Sequence, residues 1–121
     1  MKKVLSAVKD ECKSMSLPYE FDNWHSELEL PYFVGELSEI PTSDEDGKRE
    51  FDLILTGEDI DTYSRLLDYS EIVKKRYKYG HSVVIDGTVI KFIYENVITV
   101  PVEDESVKRI QINITVYLWE G

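Results

Sequence analysis

Several residue types are scarce in this chain of 121 residues, and each scarcity narrows the class of protein. The single cysteine, Cys12, excludes an internal disulfide and favours a reducing compartment. No apolar run approaches the roughly 20 residues of a membrane-spanning helix. The apolar stretch Val4–Val8 is too short for a signal peptide, and charged residues follow it. We therefore predict one cytoplasmic domain over residues 1–121, with no membrane partner.

Basic residues are also few relative to acidic ones. The 14 lysines and arginines are outnumbered by 24 aspartates and glutamates, which gives a formal net charge of −10. A protein that coats duplex DNA needs a basic surface, and so does one that docks on an anionic membrane. The charge therefore argues against specific nucleic-acid binding. It favours a basic protein partner, or a surface that must not adhere to DNA.

The short motifs that identify common catalytic sites are absent from the sequence. It has no glycine-rich phosphate loop, no nucleophile elbow and no cysteine–histidine group at metal-ligand spacing. One enzymatic alternative lies at His25, because Asp22 and Glu27 flank it and such a group can run acid–base chemistry or bind a metal. The spacing matches no ligand motif, and the aromatic neighbours Tyr19 and Trp24 indicate packing. We predict no catalytic residue, no metal ligand and no cofactor.

The most informative pattern that is present runs from Lys108 to Leu118. Apolar and polar residues alternate there without a break, which predicts a long strand with one buried face. The predicted buried residues are Ile110, Ile112, Ile114, Val116 and Leu118. The opposite face carries hydrogen-bonding groups and an aromatic ring, which suit contact with another protein. We therefore predict interaction residues on that face: Arg109, Gln111, Asn113 and Tyr117.

Helical and strand periodicities divide the rest of the chain. They predict helices over 2–16 and from about 57 to 80, and strands over 32–39, 50–56, 82–85 and 88–94. Asp86-Gly87 between two β-branched runs is a strong hairpin signal. Together with the last strand, these elements predict an α+β fold. We expect a mainly antiparallel sheet of about five strands with two helices packed on one face.

The second helix is expected to open within Gly57–Asp61, where Asp59 or Asp61 can cap its positive end. Asp61 and Arg65 would then form a pair four residues apart. His81 follows this helix, and we interpret it as a basic residue at the negative end of the helix dipole. The apolar stripe of the helix is predicted to comprise Tyr63, Leu66, Leu67, Ser70, Val73 and Tyr77.

Three short stretches, in a fixed order along the chain, are the most distinctive part of the sequence. They are Leu30-Pro31-Tyr32-Phe33-Val34, then Glu50-Phe51-Asp52-Leu53-Ile54-Leu55-Thr56-Gly57, then a helix with Tyr63, Leu67 and Ile72. With the first helix and the closing strand, this order resembles the small tail-completion or head–tail joining proteins, of tail-terminator type, of long-tailed phages and prophages of Gram-positive bacteria. The resemblance spans residues 4 to 119. Residues 82–100 depart from it, because they are longer and more hydrophobic than the family pattern.

The resemblance implies a structural virion protein and not an enzyme. Proteins of this kind form a homo-oligomeric ring, in many cases a hexamer, between the tail tube and the head connector. The implied location is the host cytoplasm during assembly and then the tail or neck of the virion. An acidic lumen would repel the DNA that passes through the ring. On this basis we predict that some of Asp44, Glu45 and Asp46, at the tip of the first hairpin, face the lumen or a partner ring.

A second class of function stays open. A small acidic protein can inhibit a host nuclease or restriction system by mimicking DNA, and the net charge of −10 permits this. DNA mimics usually carry carboxylates in long regular rows, whereas the acids here cluster in predicted loops. None of these clusters has the alternating spacing of a calcium loop.

Overall fold

The computed structural model describes residues 1–21, 29–41 and 47–120. Its two helices and six strands follow one another in the order α1, β1, β2, β3, α2, β4, β5, β6. Their bounds are α1 Lys2–Ser14, β1 Tyr19–Phe21, β2 Tyr32–Ile40, β3 Lys48–Ile60, α2 Ser64–Tyr77, β4 His81–Ile85, β5 Thr88–Val100 and β6 Val107–Glu120.

All six strands form one mixed sheet with the order β1-β2-β3-β6-β5-β4. The predicted α+β class is confirmed, and four of the five neighbouring pairs are antiparallel. The sheet has one strand more than expected because β1, only three residues long, pairs in parallel with Phe33–Gly35 of β2. Such a short edge strand carries no periodicity of its own that a sequence pattern could reveal.

The centre of the sheet is the long antiparallel pair of β3 and β6. Their register joins thirteen residue pairs, from Lys48 opposite Trp119 to Ile60 opposite Val107. The alternation predicted for β6 is confirmed, because its five apolar residues are at most 2% exposed. Phe51, Leu53 and Leu55 of β3 lie opposite them on the same face and are equally buried. This face forms one side of the hydrophobic core.

Both helices pack on that same face, as predicted. α1 contributes Val4, Ala7, Val8 and Cys12 to the core, and α2 contributes Leu66, Val73 and Tyr77. The Tyr77 ring stacks on Phe92 of β5 with a centroid distance of 5.2 Å, and Tyr69 meets Phe33 of β2 edge-on at 5.7 Å. Neither of the two described helices packs on the opposite face of the sheet, and we call that face the open face.

The predicted start of α2 is wrong. Residues 57–60 continue β3, and the helix begins only at Ser64, whose backbone N–H donates to the Thr62 hydroxyl at 3.1 Å. Gly57 lies beneath the Phe33 ring, where an added Cβ would lie only 2.4 Å from Phe33 Cε1. The Asp59 carboxylate is buried and accepts two hydrogen bonds from Arg65, at 2.6 and 2.9 Å, instead of capping a helix. Packing against Phe33 and the Asp59–Arg65 ion pair therefore favour a strand at residues 57–60, although the composition of this segment predicts the start of a helix.

The predicted apolar stripe of α2 and its predicted ion pair each need one correction. Leu67 is 41% exposed and not part of the core, because the buried face is the narrow stripe of Leu66, Ser70, Val73 and Tyr77. The predicted partner of Arg65 is wrong as well, since its guanidinium binds Asp59 and not Asp61.

Two segments of the sheet edge are paired on one side only within the described residues. At one edge β4 pairs with Thr88–Phe92 of β5 and leaves Ile93–Val100 bonded to β6 alone. At the other edge β1 pairs only with Phe33–Gly35, so Glu36–Ile40 of β2 is bonded to β3 alone. The two segments lie at opposite ends of the sheet, because Ile40 is near the Lys48 end of β3 whereas Val100 is near the Ile60 end.

The hairpin that joins β4 to β5 turns at Asp86 and Gly87, both with positive φ, as predicted.

Candidate protein-interaction surface

A line of side chains along β6 occupies the middle of the open face. All four β6 residues that the alternation marked for interaction, Arg109, Gln111, Asn113 and Tyr117, lie in this line and are partly exposed. Every second residue of a strand is about 7 Å from the last, so the line spans much of the face. The strand thus brings together residues whose role in binding stays a prediction.

A network of three side chains holds one end of the line. Arg109 Nε donates to Glu58 Oε2 at 2.7 Å, and the Tyr32 hydroxyl donates to the other oxygen of the same carboxylate. Burial and the neighbouring Glu58 raise the pKa of Tyr32 to about 12, so the hydroxyl keeps its proton at neutral pH. The network borders a shallow cavity of about 280 Å³ whose rim also includes Glu36 and Gln111. Arg109 is therefore held by the sheet itself, which sequence spacing alone did not indicate.

The middle of the line contains a second recess, with a volume of about 200 Å³. Asn113 donates to Asn96 at 2.7 Å, and Thr115 donates to Glu95 at 2.9 Å. Asp52 lies directly opposite Thr115 on the other neighbouring strand and is exposed. Two carboxylates therefore flank β6 here, on strands that are two spacings, or about 10 Å, apart. We call this feature the acidic recess; Asp52, Ile54, Glu95, Asn113 and Thr115 border it.

The far end of the line is aromatic. The Tyr117 and Trp119 rings lie 5.8 Å apart, and Lys48 Nζ lies 4.2 Å from the centre of the Tyr117 ring. Burial, together with Glu50 and Glu95, raises the pKa of Tyr117. Trp119 was missed by the sequence analysis, although it continues the same alternation two residues beyond Tyr117.

The remaining predicted site residues lie outside the described residues. They are Asp44, Glu45 and Asp46 of the hairpin tip, and Asp22, His25 and Glu27 of the enzymatic alternative. Their roles stay predictions.

A second cluster of ionisable groups lies between α1, α2 and β4. Glu11 is buried and accepts hydrogen bonds from Arg76 Nε at 2.8 Å, Arg76 Nη2 at 3.1 Å and the Tyr77 hydroxyl at 2.9 Å. His81 is the first residue of β4, and its Nε2 lies 3.3 Å from the same carboxylate, a partner that its position after the helix did not predict. Burial opposes ionisation of Glu11, but the Arg76 and Tyr77 hydrogen bonds outweigh it and lower the pKa of its carboxyl. With both oxygens engaged, Glu11 joins the helices and is poorly placed to act on a substrate.

Other candidate chemistry finds little support in the described part of the chain. Cys12 is buried, and burial raises the pKa of its thiol to about 12, which disfavours a nucleophilic thiolate. Over residues 1–21, 29–41 and 47–120, no three side chains of His, Cys, Asp or Glu are placed to hold a metal ion. No helix in the same ranges is long and apolar enough to cross a membrane.

The two layers of the fold carry opposite charge. The helices α1 and α2 contain eight basic and four acidic residues, a net charge of +4. The six strands contain five basic and nine acidic residues, a net charge of −4. The overall charge of −10 is therefore unevenly distributed: the helical layer is basic, whereas the sheet and the loops are acidic.

No protein-family model matches this sequence, and no curated protein matches it either.

Proposed function

We propose that this chain is a structural subunit that works by assembling with copies of itself and with other proteins. In particular, we propose a tail-completion or head–tail joining protein of long-tailed phages. It would form a ring, with a hexamer as the expected size, between the tail tube and the head connector. The particular role rests on the sequence resemblance, and the general role is supported by the surface of the sheet.

Two edge segments, each paired on one side only among residues 1–21, 29–41 and 47–120, carry the proposal. A closed ring needs two different patches on each subunit, so that one patch of each copy meets the other patch of the next. Glu36–Ile40 and Ile93–Val100 are two different edges at opposite ends of one sheet. Unpaired strand edges are templates for strand addition from another chain. Pairing of these two segments between neighbours would continue the sheet from subunit to subunit.

Charge supports the same proposal. A net charge of −10 suits a ring that DNA passes through without binding. The DNA-mimic alternative draws less support, because four described carboxylates are each bonded to an arginine and so are not free to imitate phosphates. They are Glu11, Glu39, Glu58 and Asp59.

The test is the oligomeric state of the purified chain, measured by size-exclusion chromatography with light scattering over a range of concentrations. We expect a discrete oligomer larger than a dimer. Ile98→Lys should disrupt it, because Ile98 is 46% exposed on the half-paired part of β5 and a lysine there opposes strand addition. Leu67→Lys is the matched control, since Leu67 is 41% exposed but lies on a helix.

A monomer at every concentration, alone and with a tail-tube protein, would contradict the proposal. Tight binding of the monomer to a nuclease or restriction enzyme would favour the inhibitor instead. Genes for portal, capsid and tail-tube proteins beside this one would support the assignment to a phage, and a neighbouring restriction system would oppose it.

A further inference from the structure

The outward side of the C-terminal end of α2 is basic and aromatic. Lys75 and Lys78 are exposed, three residues apart and therefore on one side of the helix. Neither forms an ion pair with another described residue. Tyr79 follows them and is 88% exposed, the highest value among the large hydrophobic and aromatic side chains described. Lys78 Nζ lies 5.3 Å from the centre of its ring. We call Lys75, Lys78 and Tyr79 the basic knob.

The acidic recess on the open face has the complementary chemistry. Asp52 makes no hydrogen bond or ion pair with the described residues, and Glu95 has only the bond from Thr115. Between these carboxylates lie the partly buried Ile54 and the amide of Asn113. Two lysines on one side of a helix can reach carboxylates about 10 Å apart, because their side chains are long and flexible. An aromatic ring beside them would cover the apolar part of the recess.

We propose that the basic knob of one copy docks in the acidic recess of a second copy. The two patches belong to opposite layers of the same chain, so one copy cannot satisfy its own recess with its own knob. In the ring proposed above, each copy would offer its knob to one neighbour and its recess to the other. This inference rests on the proposed function and gives the assembly a second, charge-based contact beside the pairing of strand edges.

Two charge-reversed variants test the contact directly. D52K/E95K places two lysines in the recess, and K75E/K78E places two glutamates on the knob. Each variant alone juxtaposes like charges, so we expect the apparent dissociation constant of the oligomer to rise at least tenfold in about 0.1 M salt. An equimolar mixture should associate again, because every recess then meets a knob of opposite charge. Sedimentation velocity measures all three samples, and circular dichroism checks that each variant is folded.

Two control variants carry the same change in net charge elsewhere. K9E/K13E alters exposed lysines of α1, and E103K/E105K alters exposed acids of the loop before β6. Both should assemble as the unmodified chain does. Should E95K disturb the bulge next to Tyr94, Asp52→Lys alone replaces the double variant, since Asp52 lacks bonds to the described residues.

The outcomes separate this inference from the proposed function. Three outcomes would each overturn the knob-and-recess contact but not the proposed self-assembly. They are normal assembly of either charge-reversed variant, equal disruption by the control variants, and failure of the mixture to associate. Failure of the unmodified chain to form any oligomer would overturn both.

Discussion

Removal of the negative charge from Glu11 is the most direct probe of how the helices are held on the sheet. Glu11→Gln keeps the size of the side chain but replaces one acceptor oxygen with an NH2 group. That group faces donors in either orientation: Arg76 Nη2 at the Oε2 position, or Arg76 Nε and the Tyr77 hydroxyl at the Oε1 position. Loss of one partner of a buried ion pair typically costs about 3–5 kcal/mol. Arg76 is 31% exposed, so water can solvate part of its charge in the variant. We expect the free energy of unfolding to fall by about 2–3 kcal/mol.

For a domain of this size, such a loss corresponds to a fall in Tm of roughly 10 °C. Urea unfolding followed by circular dichroism at pH 7 measures the free energy. Glu39→Gln is the control, because Glu39 also binds an arginine, Arg49, at 2.6 Å but on the surface. Water screens the two charges of an exposed pair, so the control should lose far less.

The dependence of this loss on pH follows from the direction of the pKa shift. The pKa of Glu11 is lower in the folded protein than its ordinary value of 4.5. Its charge therefore stabilises the fold fully above the pKa of the unfolded chain, and this contribution is lost as the pH falls through the folded value. The difference between the unmodified chain and Glu11→Gln should shrink on acidification from pH 7 to about pH 3. A loss no larger than that of the control, or a difference that stays constant with pH, would refute the reasoning.

Three further experiments test other parts of the structure. Gly57→Ala should lower the free energy of unfolding by about 1–3 kcal/mol in urea titrations, because its Cβ would overlap the Phe33 ring; a neutral effect would contradict this packing. Cys12 should react with a thiol reagent at pH 8 only as fast as the protein unfolds, and fast labelling of the native chain would argue against its burial. Tyr32→Phe should remove one phenol that ionises near pH 12 from the ultraviolet titration; loss of a phenol that ionises near pH 10 would show that Glu58 does not perturb Tyr32.

The parts of the fold that could be predicted are those in which burial leaves a local pattern. The alternation of β6 revealed its two faces, and Asp86-Gly87 revealed a hairpin because few other residues adopt its two positive φ angles. The extension of β3 through Gly57 and Asp59 could not be predicted, because glycine and acidic residues also mark helix starts. Phe33 and Arg65, which decide the segment, are distant in sequence or on another element.

The candidate surface likewise has features that a local sequence pattern predicts and features that it does not. The alternation placed Arg109 and Asn113 on one face, since the period of a strand fixes that directly. Their partners Glu58 and Asn96 depend on the register with β3 and β5, which no local pattern contains. The opposite charges of the two layers could not be predicted from the net charge either, because the positive charge of the helices and the negative charge of the strands cancel in the sum.

The position of β6 between β3 and β5 has a consequence for biosynthesis. β6 is the last of the six strands along the chain, yet it separates the sheet into two halves that share no other strand pairing. Until β6 has left the ribosome, β3 and β5 each have a row of backbone N–H and C=O groups without their partner in the sheet. The two halves of the sheet can therefore join only after this strand has been synthesised, and until then these rows are sites at which another chain can pair.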